Sequence, residues 1–303
     1  MSSNKSQSGF ASTAFRTGVI SLSLAALATV AALTAIALAT PLAIAQQVLP
    51  VRVDRCLELQ QITGTVTYRR GQTSAAAQIH TCLEEVGDTL ITGQNSSAKL
   101  GIDTGIGTIS VSENTTLQVQ KLDTASDGGK ITLLKVTGGQ VQLRVRAFTH
   151  RESILEIQTP AGVSGVRGTE FGVSVQPSGA TGVATLEGSV AASAQGQTVD
   201  VDAGLQSRII PGEPPLPPSP LKDDPSLDIR YLAIVRPSAV GQRTVRIVGQ
   251  IDPVNLLVIA DQTQNVERSG EFDLQIPLPT NRQISAVVIT PLGTRQAYEL
   301  VVP

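Results

Sequence analysis

Short runs in which apolar and polar residues alternate recur along most of this chain. Ile62-Thr63-Gly64-Thr65-Val66-Thr67-Tyr68 carries the period-2 pattern of a half-buried strand, and Ala98–Ile102, Thr108–Ser112 and Thr116–Gln120 repeat it. So do Val141–Val145, Leu155–Ile157, Phe171–Val175, Gly182–Leu186 and Val190–Ser193. Asp127-Gly128-Gly129 reads as a turn between two of these runs. Strands this short, recurring every 10–12 residues or so, predict a sandwich, roll or solenoid. No helical period of convincing length appears after the first 45 residues. The fold class is therefore all-β, behind an N-terminal apolar helix.

That apolar segment breaks the pattern. Residues 1–17 are polar and carry Lys5 and Arg16, while Gly18 to Ala39 is apolar or small throughout. Pro41 then ends the helix, and Ala43-Ile44-Ala45 supplies a small-x-small site ahead of Gln46. A basic start, an apolar middle and an Ala-x-Ala site describe a secretory signal peptide, cleaved to leave Gln46 first. An uncleaved anchor is the alternative, since about 20 apolar residues span a bilayer. Both readings place residues 46–303 outside the cytoplasm, in the periplasm, the cell envelope or the medium, free or tethered to the inner membrane.

Composition narrows the partners. A formal net charge of -2 gives no overall field favouring nucleic acid. Charged residues are 16% and aromatics 3%, with 27 glycines and no Trp, which suits short strands and tight turns. Cys56 and Cys82, both in the exported region, read as a disulfide worth roughly 3 kcal/mol in the chain-entropy picture; two free buried thiols are the alternative. His80 and His150 stand far apart, and no Gly-x-Ser-x-Gly elbow, metal-ligand spacing or phosphate-binding glycine loop is present in the sequence. Asp123–Asp127 reads as a solvated turn, and the Asn95 and Asn114 sequons as chance. The expectation is no catalysis, no cofactor and no metal.

Pro211 to Pro225 changes character, with Pro-Gly-Glu-Pro-Pro-Leu-Pro-Pro-Ser-Pro followed by Lys-Asp-Asp-Pro. Such a stretch lacks backbone donors and predicts an extended, semi-rigid spacer. A second set of strand patterns follows, from Val245–Gly249 to Tyr298–Val302, with Gly270 just before an inward Phe272. Its spacing resembles the small bacterial immunoglobulin-like modules. The chain thus divides into a leader or anchor (1–45), a β domain (46–210), a Pro-rich linker (211–240) and an immunoglobulin-like sandwich (241–303).

The most distinctive stretch runs from Gln158 to Val173 and holds Thr159, Pro160, Gly162, Arg167, Gly168, Thr169, Glu170 and Phe171. Pro160 suits a strand end, and Gly162, Gly165 and Gly168 permit sharp turns or close backbone approach. Arg167 and Glu170 are placed to pair and pin the loop against the next strand, with Thr169 bonding locally. The segment resembles the Thr-Pro-x-Gly … Arg-Gly-Thr-x-Phe-x-Val signature of the FecR domain, a β-rich extracytoplasmic module. Gly87-Asp88-Thr89-Leu90, Ser97–Leu100, Asn114–Leu117, Gly139–Val141, Glu187–Val190 and Ala203–Gln206 resemble further elements of that family, in order, over residues 60–210. The resemblance implies kinship with regulators that relay a surface signal to a sigma factor through a cytoplasmic helical domain. Residues 1–17 are too few for such a domain, so the expected function is an envelope binding or scaffold protein presenting β-domain loops to an envelope protein or cell-wall glycan. The alternatives are a membrane-anchored FecR-type signal-transducing regulator and an unrecognised hydrolase.

Overall fold

A computed structural model describes residues 55–235 and 243–303. Val53–Pro303 forms one compact unit. The leader, its cleavage site and the apolar helix expected there lie outside the described residues. No helix among the described residues is long and apolar enough to cross a membrane. Those residues are all-β.

The first part of the unit holds β1 (Leu57–Thr63), β2 (Val66–Arg70), β3 (Thr73–Ala76), β4 (Cys82–Leu83), β5 (Thr89–Thr92), β6 (Ser97–Ile102), β7 (Gly107–Val111), β8 (Thr116–Thr124) and β9 (Lys130–Val145). It continues with β10 (Ile154–Gln158), β11 (Val163–Val166), β12 (Glu170–Val175), β13 (Thr181–Glu187), β14 (Ser189–Ala194), β15 (Gln197–Asp202), β16 (Leu205–Ile209) and β17 (Ser219–Pro220). Pairing arranges them in two sheets. The first runs β4-β1-β6-β7-β9-β12-β13-β16-β17. The second runs β3-β2-β5-β8-β9-β10-β11-β14-β15. Among the described residues, only β9–β10 pairs in parallel.

Strand β9 belongs to both sheets. Its first half pairs with β8 and β10, its second with β7 and β12, and the change of layer falls at Gly138-Gly139. Gly139 has φ +90, and a Cβ there would sit on Thr115, so only glycine makes this bend. Other crossings also use positive φ, at Gly64, Asn95, Asn114, Gly168, Gly188 and Gly204. This corrects the continuous strand expected over Ile62–Tyr68: at Gly64 the chain leaves the first sheet and enters the second. The Asn95 and Asn114 positions gain a structural reason as well, since Asn tolerates the left-handed region better than most side chains. Between the sheets lies one core, including Leu57, Leu100, Ile109 and Leu143 from the first and Leu90, Leu117, Leu134 and Ile157 from the second.

The second part is a smaller sandwich. One sheet runs β18 (Asp228–Val235), β19 (Thr244–Gln250), β22 (Glu271–Pro277); the other runs β21 (Gln262–Gln264), β20 (Leu256–Ile259), β23 (Gln283–Ile289), β24 (Arg295–Val301). Phe272, only 3% exposed, packs between them with Val245, Ile247 and Val288. Strand β18 comes from the stretch read as linker. The proline-rich segment is no free spacer: Ser219 and Pro220 pair with β16, and the Leu216 N–H donates to the Arg208 carbonyl at 2.9 Å.

Candidate functional site

The distinctive segment folds as a strand end, a hairpin and a layer crossing. Thr159 closes the turn after β10, its N–H donating to the Gly162 carbonyl at 2.8 Å while the Gly162 N–H donates to the Thr159 hydroxyl at 3.2 Å. The exposed Pro160 sits between them, outside the ladder. A Cβ on Gly162 would fall 2.4 Å from the Ser193 carbonyl, and one on Gly168 (φ +111) 2.2 Å from the Ala147 Cα. Phe171 is fully buried in the core.

The Arg167–Glu170 pair does not form. Arg167 is exposed and donates to the Arg151 carbonyl, whereas Glu170 points the other way across β12 and takes Arg144, with Nη2 to Oε2 at 2.7 Å. The register explains this, because Glu170 stands opposite Arg144 on β9 and Arg167 precedes the crossing. Thr169 is not local either; its hydroxyl donates to the Ser189 carbonyl at 3.2 Å. The bond to Glu170 raises the Arg144 pKa above the ordinary guanidinium value.

The Gly-Asp-x-Leu element is also structural. Asp88, 1% exposed, receives Arg70 Nη2 at 2.7 Å and the backbone N–H groups of Glu84 and Glu85 at 2.9 and 3.1 Å. Burial pushes its carboxyl up, and these three donors together outweigh that and hold it below the ordinary aspartate value. The same burial, with Asp88 beside it, lifts the Tyr68 phenol to about 12. Cys56 and Cys82 are bonded, with Cα atoms 5.6 Å apart. His80 meets Glu58 and His150 meets Thr149, so the two histidines are not brought together. Asp127 caps its own turn through the Gly129 N–H, and no cluster of metal-ligating side chains occurs among the described residues.

What the structure does assemble is the outer face of the first sheet, which the sequence analysis did not single out. Strand register sets Lys99, Ser110, Gln142, Gly172, Ala184 and Gln206 directly across from one another. A neighbouring row passes through Gln140, Ser174, Gly182 and Arg208. The smaller sandwich covers one half of this face. A Cβ on Gly172 would lie 1.7 Å from the Pro291 carbonyl, and one on Gly182 2.3 Å from that of Val254, so both loops reach the sheet through glycine notches. Four side chains of the covered half bond main-chain carbonyls of the loops. Gln140 Nε2 donates to Pro291 O at 2.6 Å, and Ser174 Oγ to Val254 O. Gln176 Nε2 reaches Pro253 O and Asn255 O, each at 3.3 Å. Arg208, 5% exposed, donates to Glu267 O at 2.6 Å and Val266 O at 2.9 Å, and burial lowers its pKa.

The other half of the face stays open as a polar furrow. A cavity of about 320 Å³ is lined by Gln61, Lys99, Ser110 and Gln142 and walled at one end by Gly293 of the sandwich. It continues into one of about 260 Å³ along Thr108, Arg144 and Glu170. At the sandwich end it opens on a third hollow of about 300 Å³, where Arg295 Nε pairs with the buried Glu113 at 3.1 Å. Period-2 polarity along β6, β7 and β9 was the only signal for this furrow, and any solvated sheet face gives the same signal.

No curated protein matches the chain. Two crystal structures of a protein from Parabacteroides distasonis, described as a candidate anti-sigma factor, are similar to it at 14% identity and TM-score 0.37, over 44% of this chain and 59% of theirs. The chain thus spans about 59% of the length of the solved structures it matches. The family model described as FecR protein matches residues 88–191, from just before β5 into β14. The resemblance read from the Thr-Pro and Arg-Gly-Thr motifs is confirmed, and the chain carries a FecR domain at the centre of its larger two-sheet body.

Proposed function

We propose that this chain is a FecR-type extracytoplasmic regulator, a binding unit held at the outer face of a cytoplasmic membrane by the apolar segment Gly18–Ala39. The observation that carries this reading is the FecR family match over residues 88–191. In it the FecR domain and an immunoglobulin-like sandwich act as one body, take up a partner on the β surface and relay that occupancy without chemistry of their own. The docking of the sandwich through Gly172, Gly182 and Arg208 supports one body, because a ligand on the sheet face then touches both parts. A second reading, a released envelope protein binding a protein or cell-wall glycan, draws on the Ala43-Ile44-Ala45 site.

The fate of the leader separates the two, since a relay across a membrane needs an unbroken chain. Intact-mass analysis of the protein from membrane and soluble fractions is the test. Full-length mass in the membrane fraction is the expected result. A soluble chain beginning at Gln46 would refute the tether and leave the released binding protein.

A further inference from the structure

We infer that the open furrow of the first sheet is a binding site for an extended polypeptide segment bearing a carboxylate. The inference rests on the binding-unit reading above, but not on whether the leader is retained. It starts from what occupies the adjoining half of the same sheet face. There the sheet grips loops of the sandwich chiefly by their main chain, with amide, hydroxyl and guanidinium donors of Gln140, Ser174, Gln176 and Arg208 on backbone carbonyls, while Gln206 Nε2 meets the Asp252 carboxylate at 3.1 Å. Recognition of this kind reads peptide units and, at Gln206, a carboxylate.

The same chemistry continues without a break into the uncovered half. Gln142 stands opposite Ser110 on one side and Gly172 on the other, so it occupies the row that ends under the sandwich. Its amide spends one N–H on Glu170 Oε1 at 3.3 Å, and its second N–H and its carbonyl have no partner among the described residues. Ser110 and Lys99 likewise have none there. A peptide chain supplies carbonyls and N–H groups at a spacing that suits such a row of donors and acceptors. Ala98 and Val111 are the apolar side chains of its lining and no aromatic ring joins them, so most of the affinity must come from polar contacts of this sort.

Charge fixes the second half of the inference. Arg144 is neutralised by Glu170 at 2.7 Å, while the half-buried Lys99 has no acidic side chain within ion-pair distance among the described residues. The furrow therefore carries one uncompensated positive charge at the centre of its floor, and a ligand carboxylate beside Lys99 would neutralise it in a partly dehydrated setting. The proposal involves no covalent step.

The test uses the full chain in detergent, with a displayed library of random dodecapeptides as the probe and chitohexaose as the competing class. Selected peptides should be enriched in Asp or Glu. Fluorescence anisotropy on a labelled selected peptide should show Kd raised about tenfold or more by Gln142→Ala and by Lys99→Gln, the loss expected when one bound polar contact goes. Thr198→Ala, on the far sheet, should leave Kd unchanged, and unaltered thermal unfolding of all three variants excludes misfolding. Three results overturn the inference: no peptide selected; selected peptides indifferent to Gln142 and Lys99; or chitohexaose binding that these two variants abolish while peptides do not compete. A soluble chain starting at Gln46 would sink the tether and leave the furrow result standing.

Discussion

Replacing Gly172 by Ala tests whether the sandwich is seated on the FecR domain through backbone contact. The new Cβ would lie 1.7 Å from the Pro291 carbonyl oxygen, where real Cβ atoms keep at least 3.0 Å, so the loop must lift by about 1.3 Å, the difference between the two. Lifting it stretches the Gln140–Pro291 bond beyond hydrogen-bonding distance from its present 2.6 Å. Overpacking costs about 1–3 kcal/mol, and the lost bond about 1 kcal/mol. Removing glycine from a strand returns up to about 1 kcal/mol through the unfolded chain. The net is a destabilisation of about 2 kcal/mol, which lowers Tm by about 4–8 °C for a body of this size. Gly165→Ala is the control, since its nearest neighbour would be Glu156 Cγ at 3.7 Å, an ordinary contact. Urea unfolding of both variants is the assay. If Gly172→Ala matches Gly165→Ala within about 0.5 kcal/mol, the seating argument fails.

The remaining expectations concern the first domain. Arg167→Ala should stay within about 0.5 kcal/mol of the parent because the side chain is exposed. Glu170→Ala, which empties a buried position facing Arg144, should cost about 1–2 kcal/mol; the reverse order in thermal melts would restore the sequence-based pairing. Asp88→Asn should cost about 2–3 kcal/mol at neutral pH. Because the Asp88 pKa is depressed on folding, its contribution is complete above the unfolded aspartate value of 3.8 and fades as pH falls below it. The Asn variant should therefore lose part of the stability change seen on acidification, and identical acid profiles would contradict the role given to Asp88. Reducing Cys56–Cys82, which closes a separation of 26 residues, should cost about 3 kcal/mol and shift the urea midpoint accordingly. An unmoved midpoint would show that the reduced chain is already constrained.

Strands and turns were legible wherever one face is buried, because alternation is then enforced by the core. Ala98–Ile102, Phe171–Val175 and Val245–Gly249 all lie within strands. The layer crossings were not legible: Gly64 interrupts a run whose polarity continues unchanged, and only the ladder shows which sheet each half joins. Several strands escaped as well, among them β15, β16, the first half of β9 and β18. In the first half of β9 the adjacent Leu133 and Leu134 break the strict alternation, and β18 lies behind a proline tract that reads as linker. At the site, the residues of the Arg-Gly-Thr motif were found but paired wrongly, since adjacency in sequence says nothing about the partner across a sheet. The furrow residues were visible only as polar positions, and their significance came from a long-range fact, that the sandwich covers the neighbouring half of the same face.

The bent strand β9 has a consequence for how such a domain can change over generations. In the strand ladders of the described residues, every strand before it pairs only with other earlier strands or with β9, and β10–β17 pair likewise with one another or with β9. The domain is thus two wings sharing a single spine. Hairpins can be added or trimmed at either wing tip without rewriting any bond of the other wing, whereas the Gly138-Gly139 bend admits no such freedom. The family match over residues 88–191 contains the whole spine and stops short of the tip strands β3, β15 and β17, a placement that this geometry permits.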